Sequence, residues 1–205
     1  MKTRSVFSSI AVLAFIACIF YPSAAQQSQE RLIRRLPVEK DEPIEITDIK
    51  VDGQSVSLDK KFTADDEWLR SLVFSVKNKS DKLILYASIR LQFPRPAGSK
   101  GLMAAHDMYY GNWALQRRLP KPEDKVTGIA PGETVEMALS IQQYVDLKSL
   151  LDQTGFPQSI ARTDISIAQV IFADDTMWSA GAISIRDPQE PSTWINSRYA
   201  NSKPQ

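Results

Sequence analysis

Two residue types that build reactive sites are almost missing. The 205 residues hold one cysteine, Cys18, and one histidine, His106. A lone cysteine excludes an internal disulfide, and a lone histidine excludes any metal site that needs two imidazoles. A serine triad would have to use His106 as its base. An excess of one charge is missing too, since 25 Lys and Arg face 24 Asp and Glu. No basic stripe runs along the chain to follow a phosphate backbone, so nucleic acid is not an expected partner. The eight glycines form neither a phosphate-cradling loop nor a dinucleotide fingerprint. No cofactor is expected.

What is present begins with an export pattern. Lys2 and Arg4 precede an apolar run from Val6 to Phe20, and Ser23-Ala24-Ala25 then offers small residues for cleavage. This predicts a secretory signal peptide over 1–25, cut before Gln26. The run falls short of the ~20 apolar residues of a spanning helix. An uncleaved anchor, or lipidation at Cys18 within "FIAC", are the alternatives, and either would be the only membrane contact. Removing Lys2 and Arg4 leaves 23 basic against 24 acidic residues and takes away the only thiol. About 180 residues bury enough surface to fold without staples. Export without disulfides suits a bacterial envelope, periplasmic or extracellular. One glycosylation-type triplet, Asn78-Lys79-Ser80, would matter only in a eukaryotic host.

Residues 26–42 are polar and charged and read as a tether; 187–205, with three prolines, read as an irregular tail. Between them, 43–186 form one domain whose dominant period is two. "LILYASIRLQF" (83–93) puts Leu83, Leu85, Ala87, Ile89, Leu91 and Phe93 on one face, with Ile84 out of step, and Pro94 stops it. "WLRSLVFSVKN" places Leu72, Phe74 and Val76 together, and the polar "NKSDK" joins the two runs, predicting one hairpin over 68–93. "PIEITDIKV" slips register near Asp48, which calls for a bulge. "SVSLDKKF" adds a short edge strand, and "PGETVEMALSI", "ISIAQVIF" and "MWSAGAISI" follow. Tyr144, Leu147 and Leu151 have helical spacing, and Gly155 is placed to end that helix. The expectation is a mainly β protein: an antiparallel, immunoglobulin-like β-sandwich of about seven strands with one crossover helix.

The order "NKSDKLILYASIRLQFP", "IAPGETVEMALS", "FADDTMWSAG" and "RDPQEPSTW" resembles a group of exported, uncharacterised bacterial proteins with immunoglobulin-like sandwiches. The resemblance covers most of 43–194. It implies fold and export, and it brings no activity and no catalytic residues. Where that group favours Asp-Gly-Thr at a hairpin, this chain has Asp174-Asp175-Thr176, which asks the second aspartate to tolerate a left-handed backbone.

Chemistry is thinly spread. Asp174 and Asp175 are neighbours, so as strand residues they would face apart, whereas paired carboxylates must aim at one bond; they read as a turn. Ser57-Leu58-Asp59-Lys60 fits S-x-x-K but sits in a β-like run without companion motifs. Asp65, Asp66 and Glu67 read as a solvated lead into a strand. One stretch stands out, the ~30 residues from 94 to 126, because aperiodic loops of that length are often functional. It concentrates Met103, Met108, Tyr109, Tyr110 and Trp113, with Arg117 and Arg118 as donors. Tyr109, Tyr110, Trp113 and Arg117 are the candidate interaction surface, for another envelope protein or a glycan. The competing reading is a loop that covers a sheet edge and buries its aromatics. The expected role is an exported, non-catalytic interaction or structural module. The alternative is a carbohydrate-binding module or a carboxylate-based hydrolase using the same loop.

Overall fold

The structure is a computed structural model that describes residues 28–95, 103–121, 124 and 127–197. The expected signal peptide, Cys18 and the last eight residues lie outside the described residues.

The described chain is mainly β, with twelve strands in two sheets and one α-helix, against the seven strands expected. The smaller sheet holds β2 (Ile44–Val51), β3 (Gln54–Ser55), β5 (Val73–Asn78) and β8 (Thr134–Ala138), in the order β3-β2-β5-β8. The bulge required near Asp48 is there, as a register shift between Ile46 and Asp48 where β2 pairs β5. In the larger sheet β6 (Ile84–Phe93) pairs β7 (Ala104–Gly111) on one edge and β9 (Arg162–Phe172) on the other. The far edge of β9 is shared. β1 (Gln29–Arg35) takes its first residues and β10 (Thr176–Ser179) its last, with β4 (Lys61–Ala64) beyond β1. β11 (Ala182–Arg186) and β12 (Trp194–Asn196) continue past β10. The helix α1 (Ile141–Gln153) carries the chain from the smaller sheet to the larger. It starts on a capping box of Ser140 and Gln143 and stops at Gly155, whose φ is 74°.

One core cluster takes side chains from both sheets: Phe74 and Val76 from β5, Ile89, Leu91 and Phe93 from β6, Ile165 and Val170 from β9, and Leu147 and Leu151 from α1. Burying this much apolar surface in one place is the main driving force for the arrangement.

Several expectations are corrected. Residues 29–35 are no tether but strand β1, parallel to β9 and antiparallel to β4, so the sheet is not purely antiparallel. Its inward positions are Arg31, Ile33 and Arg35, and Ile33 is fully buried. Arg31 donates to Asp66 at 2.7 Å, to Ser159 Oγ at 2.8 Å and to the Ile160 carbonyl; Arg35 donates to both oxygens of Glu42. A buried cation is tolerated when paired and hydrogen-bonded. The partners of Arg31 are remote in sequence, so its burial was not visible when the segment was read locally.

The 68–93 hairpin is also overturned, because β5 and β6 lie in different sheets. Asn78 holds the crossing: its amide donates to the Lys82 and Ile129 carbonyls, and its oxygen accepts from Ser80. That amide is buried and spent, so the glycosylation triplet is closed. Ile84 faces the core and Leu85 packs in a second cluster, through a register shift between Ile84 and Tyr86. The 94–126 stretch contains β7 and a 3-10 turn at Trp113–Gln116, and the tail supplies β12. The acidic run latches the fold: Asp66 holds Arg31, while Glu67 accepts from the Tyr144 hydroxyl and pairs with Lys148.

Candidate functional site

On β7 alternate side chains go to opposite faces. Met108 is fully buried and Tyr110 packs partly against the main core, while Asp107 and Tyr109 face outward. Tyr109 stands opposite Ser88 of β6, and Tyr86 stands opposite Gly111. That register sets Tyr109 diagonally beside Tyr86, and their rings stack at 5.9 Å and 28°.

Gly111 makes the approach possible. Its φ is 87°, and a Cβ there would lie 2.2 Å from the Leu85 carbonyl oxygen. Only glycine accepts both conditions. Next, Asn112 accepts from the Ala114 amide and opens the 3-10 turn. Leu115 points into the second cluster, whereas Trp113 is 53 % exposed. Gln116 donates to the Tyr86 hydroxyl at 2.6 Å. Burial pushes the Tyr86 phenol up to about 12, so it stays protonated and can donate.

These groups line a cup of about 250 Å³: Tyr86, Asp107, Tyr109, Trp113 and Gln116. The carboxylate in this lining, Asp107, is held by Arg90 in a two-pronged pair at 2.7 and 2.9 Å. The rim turn is braced from the chain's end. Arg186, almost wholly buried, donates to the Leu115 carbonyl at 2.6 Å and the Pro191 carbonyl at 2.7 Å. Its guanidinium lies 4.1 Å over the Trp194 ring, and Trp194 donates to the Gln116 carbonyl at 2.9 Å.

Of the four residues chosen from sequence, the structure brings Tyr109 and Trp113 together. Tyr110 is turned to the core, and exposed Arg117 is not part of the lining. Tyr86, Asp107 and Gln116 were not singled out. Tyr86 carried one signal, an aromatic on the polar side of an alternating strand. Met103 is exposed, and Arg118 is bound to Asp124 at 2.6 Å.

The other chemistry-bearing residues are placed elsewhere. Asp174 and Asp175 form the β9–β10 corner. Asp174 pairs with Lys82 at 2.7 Å, and Asp175, at a φ of 58°, pairs with Arg186 at 3.2 Å, so the carboxylates serve separate partners. His106 sits on the core-side face of β7; burial lowers its pKa, and its Nε2 has no partner among the described residues. Ser57 to Lys60 lie in the turn before β4, not on a helix. Larger cavities among the described residues, about 330 Å³ beside Phe93, Phe156 and Ile160, about 360 Å³ beside Trp178 and Ile183, and about 320 Å³ beside Ile46 and Val56, hold none of the four residues chosen as an interaction surface. Among the described residues no three His, Cys, Asp or Glu are grouped to hold a metal ion, and no helix is long and apolar enough to cross a membrane.

No family model matches the chain, and neither a curated protein nor a solved structure matches it.

Proposed function

We propose that the protein is an exported, non-catalytic binding module of the bacterial envelope, periplasmic or extracellular, built as an immunoglobulin-like β-sandwich. Its ligand enters the cup between β6, β7 and the 3-10 turn. One observation carries this reading. Trp113 is half-exposed beside a stacked tyrosine pair, on a turn that Arg186 and Trp194 anchor firmly. A large aromatic left open on a braced turn costs stability and offers contact area at low entropic cost.

The hydrolase alternative finds little support in the cup. Carboxylate-based hydrolysis needs two carboxyl groups roughly 5–9.5 Å apart. Asp107 is the single one in the lining among the described residues, and Arg90 donates to both its oxygens.

The test is affinity capture from a native envelope extract with the purified protein and its Trp113→Ala variant. Loss of an exposed indole leaves the core intact, so both should melt alike. The wild type should retain a ligand that the variant loses by about tenfold or more, the scale of a hot-spot truncation. Identical capture by both proteins would remove the cup from the mechanism. Replacing Tyr109, Tyr110 and Trp113 together is a poorer test, since Tyr110 packs on the core.

A further inference from the structure

We infer that the cup takes one uncharged pyranose ring, the end of a neutral glycan, stacked on Trp113 and Tyr109; this rests on the binding-module reading above. Three features select that chemistry. First, aromatic faces and polar edges share one small space: the indole and two phenol rings are apolar, while the Tyr86 hydroxyl, the Gln116 amide and Asp107 line the same cup. A sugar ring has that composition, with C–H groups on its faces and hydroxyls around its rim. A purely aliphatic ligand would cover the donors and acceptors that these groups have left over from the Gln116–Tyr86 and Arg90–Asp107 pairs, which costs affinity.

Second, the cup is electrically balanced. Arg90 neutralises Asp107, and among the described residues no other charged side chain lines it. Neither an anion nor a cation gains a net Coulomb attraction there, whereas hydroxyls still find acceptors on the carboxylate and the Gln116 carbonyl oxygen. Third, size limits the occupant. At about 250 Å³ the cup falls below the ~300–1,000 Å³ of sites for drug-sized ligands. One ring fills that volume. The half-exposed Trp113 leaves the mouth open for the rest of the chain.

The experiment is calorimetric titration of the purified protein with neutral mono- and oligosaccharides built from hexoses and N-acetylhexosamines, at low and high salt. At least one should bind with a dissociation constant in the millimolar to micromolar range. Affinity should be the same at both salt levels, because no ion pair forms. Trp113→Ala should weaken binding about tenfold or more and Trp113→Tyr should restore most of it, while Gln116→Ala should weaken it several-fold through the lost hydrogen bonds. Binding confined to charged saccharides and abolished by salt would overturn the neutral-ring assignment. If no neutral sugar binds but Trp113→Ala still loses its envelope ligand, the sugar is wrong and the binding module stands. If neither sugar nor envelope capture depends on Trp113, both fall.

Discussion

Replacing Ile33 by alanine tests whether residues 29–35 belong to the folded domain. Ile33 has no exposed surface and sits in the main core cluster, on a strand held by β4 and β9. Truncating a fully buried isoleucine to alanine costs about 2–5 kcal/mol, through lost transfer energy and the cavity left behind. The middle of that range, about 3 kcal/mol, is a large share of the ~5–15 kcal/mol that holds a domain together. With a urea slope of about 2 kcal/mol per molar, the midpoint should fall by about 1.5 M. Val38 provides the control. It is 68 % exposed just after the strand, and Val38→Ala should stay within about 0.5 kcal/mol of wild type. Urea unfolding followed by far-UV circular dichroism reads both. A tether would make the two variants equivalent, so an Ile33→Ala midpoint within the Val38→Ala error would refute the placement of β1.

Asp164 gives a pH test. Its burial pushes the carboxyl up, but hydrogen bonds from Arg162 and Arg34 outweigh that and hold it below the ordinary aspartate range. A depressed folded-state value stabilises the protein above the unfolded pKa of about 3.9, and that contribution is lost as pH falls through the folded value. Asp164→Asn should therefore lower stability at neutral pH, and its gap to wild type should narrow as pH falls below the ordinary aspartate pKa of about 3.9; parallel melting curves from pH 7 to about pH 2.5 would contradict this. Ala180, exposed at a φ of 47° and followed by Gly181 in the β10–β11 turn, carries left-handed strain that asparagine tolerates better. Ala180→Asn should raise stability by about 0.5–1 kcal/mol, measured as a higher melting temperature, and a lower one would be the contrary result.

Local pattern and tertiary pairing contribute to this protein in different ways. Alternation along 73–78 and 84–93 was legible because half-buried strands repeat every two residues, and the Asp48 bulge was legible as a break in that repeat. Alternation says which face is buried but not against which sheet, so β5 and β6 looked like hairpin partners. Within the cup, Tyr109 and Trp113 were visible as aromatics in an aperiodic stretch. Tyr86 and Gln116 are thirty residues apart, and only the β6–β7 register and the 3-10 turn bring their side chains into contact.

The sequence by itself determined the alternation of β5 and of β6 from Ala87 to Phe93, the helix with its glycine stop, and the aspartate corner, because each depends on backbone preference and near neighbours. Tertiary structure alone decided that the arginine-rich β1 enters a sheet, that the acidic run becomes a set of latches, and which aromatics reach the surface. The physical reason is that a buried charge is acceptable only beside its counter-charge. For Arg31 that partner is Asp66, thirty-five positions further along the chain.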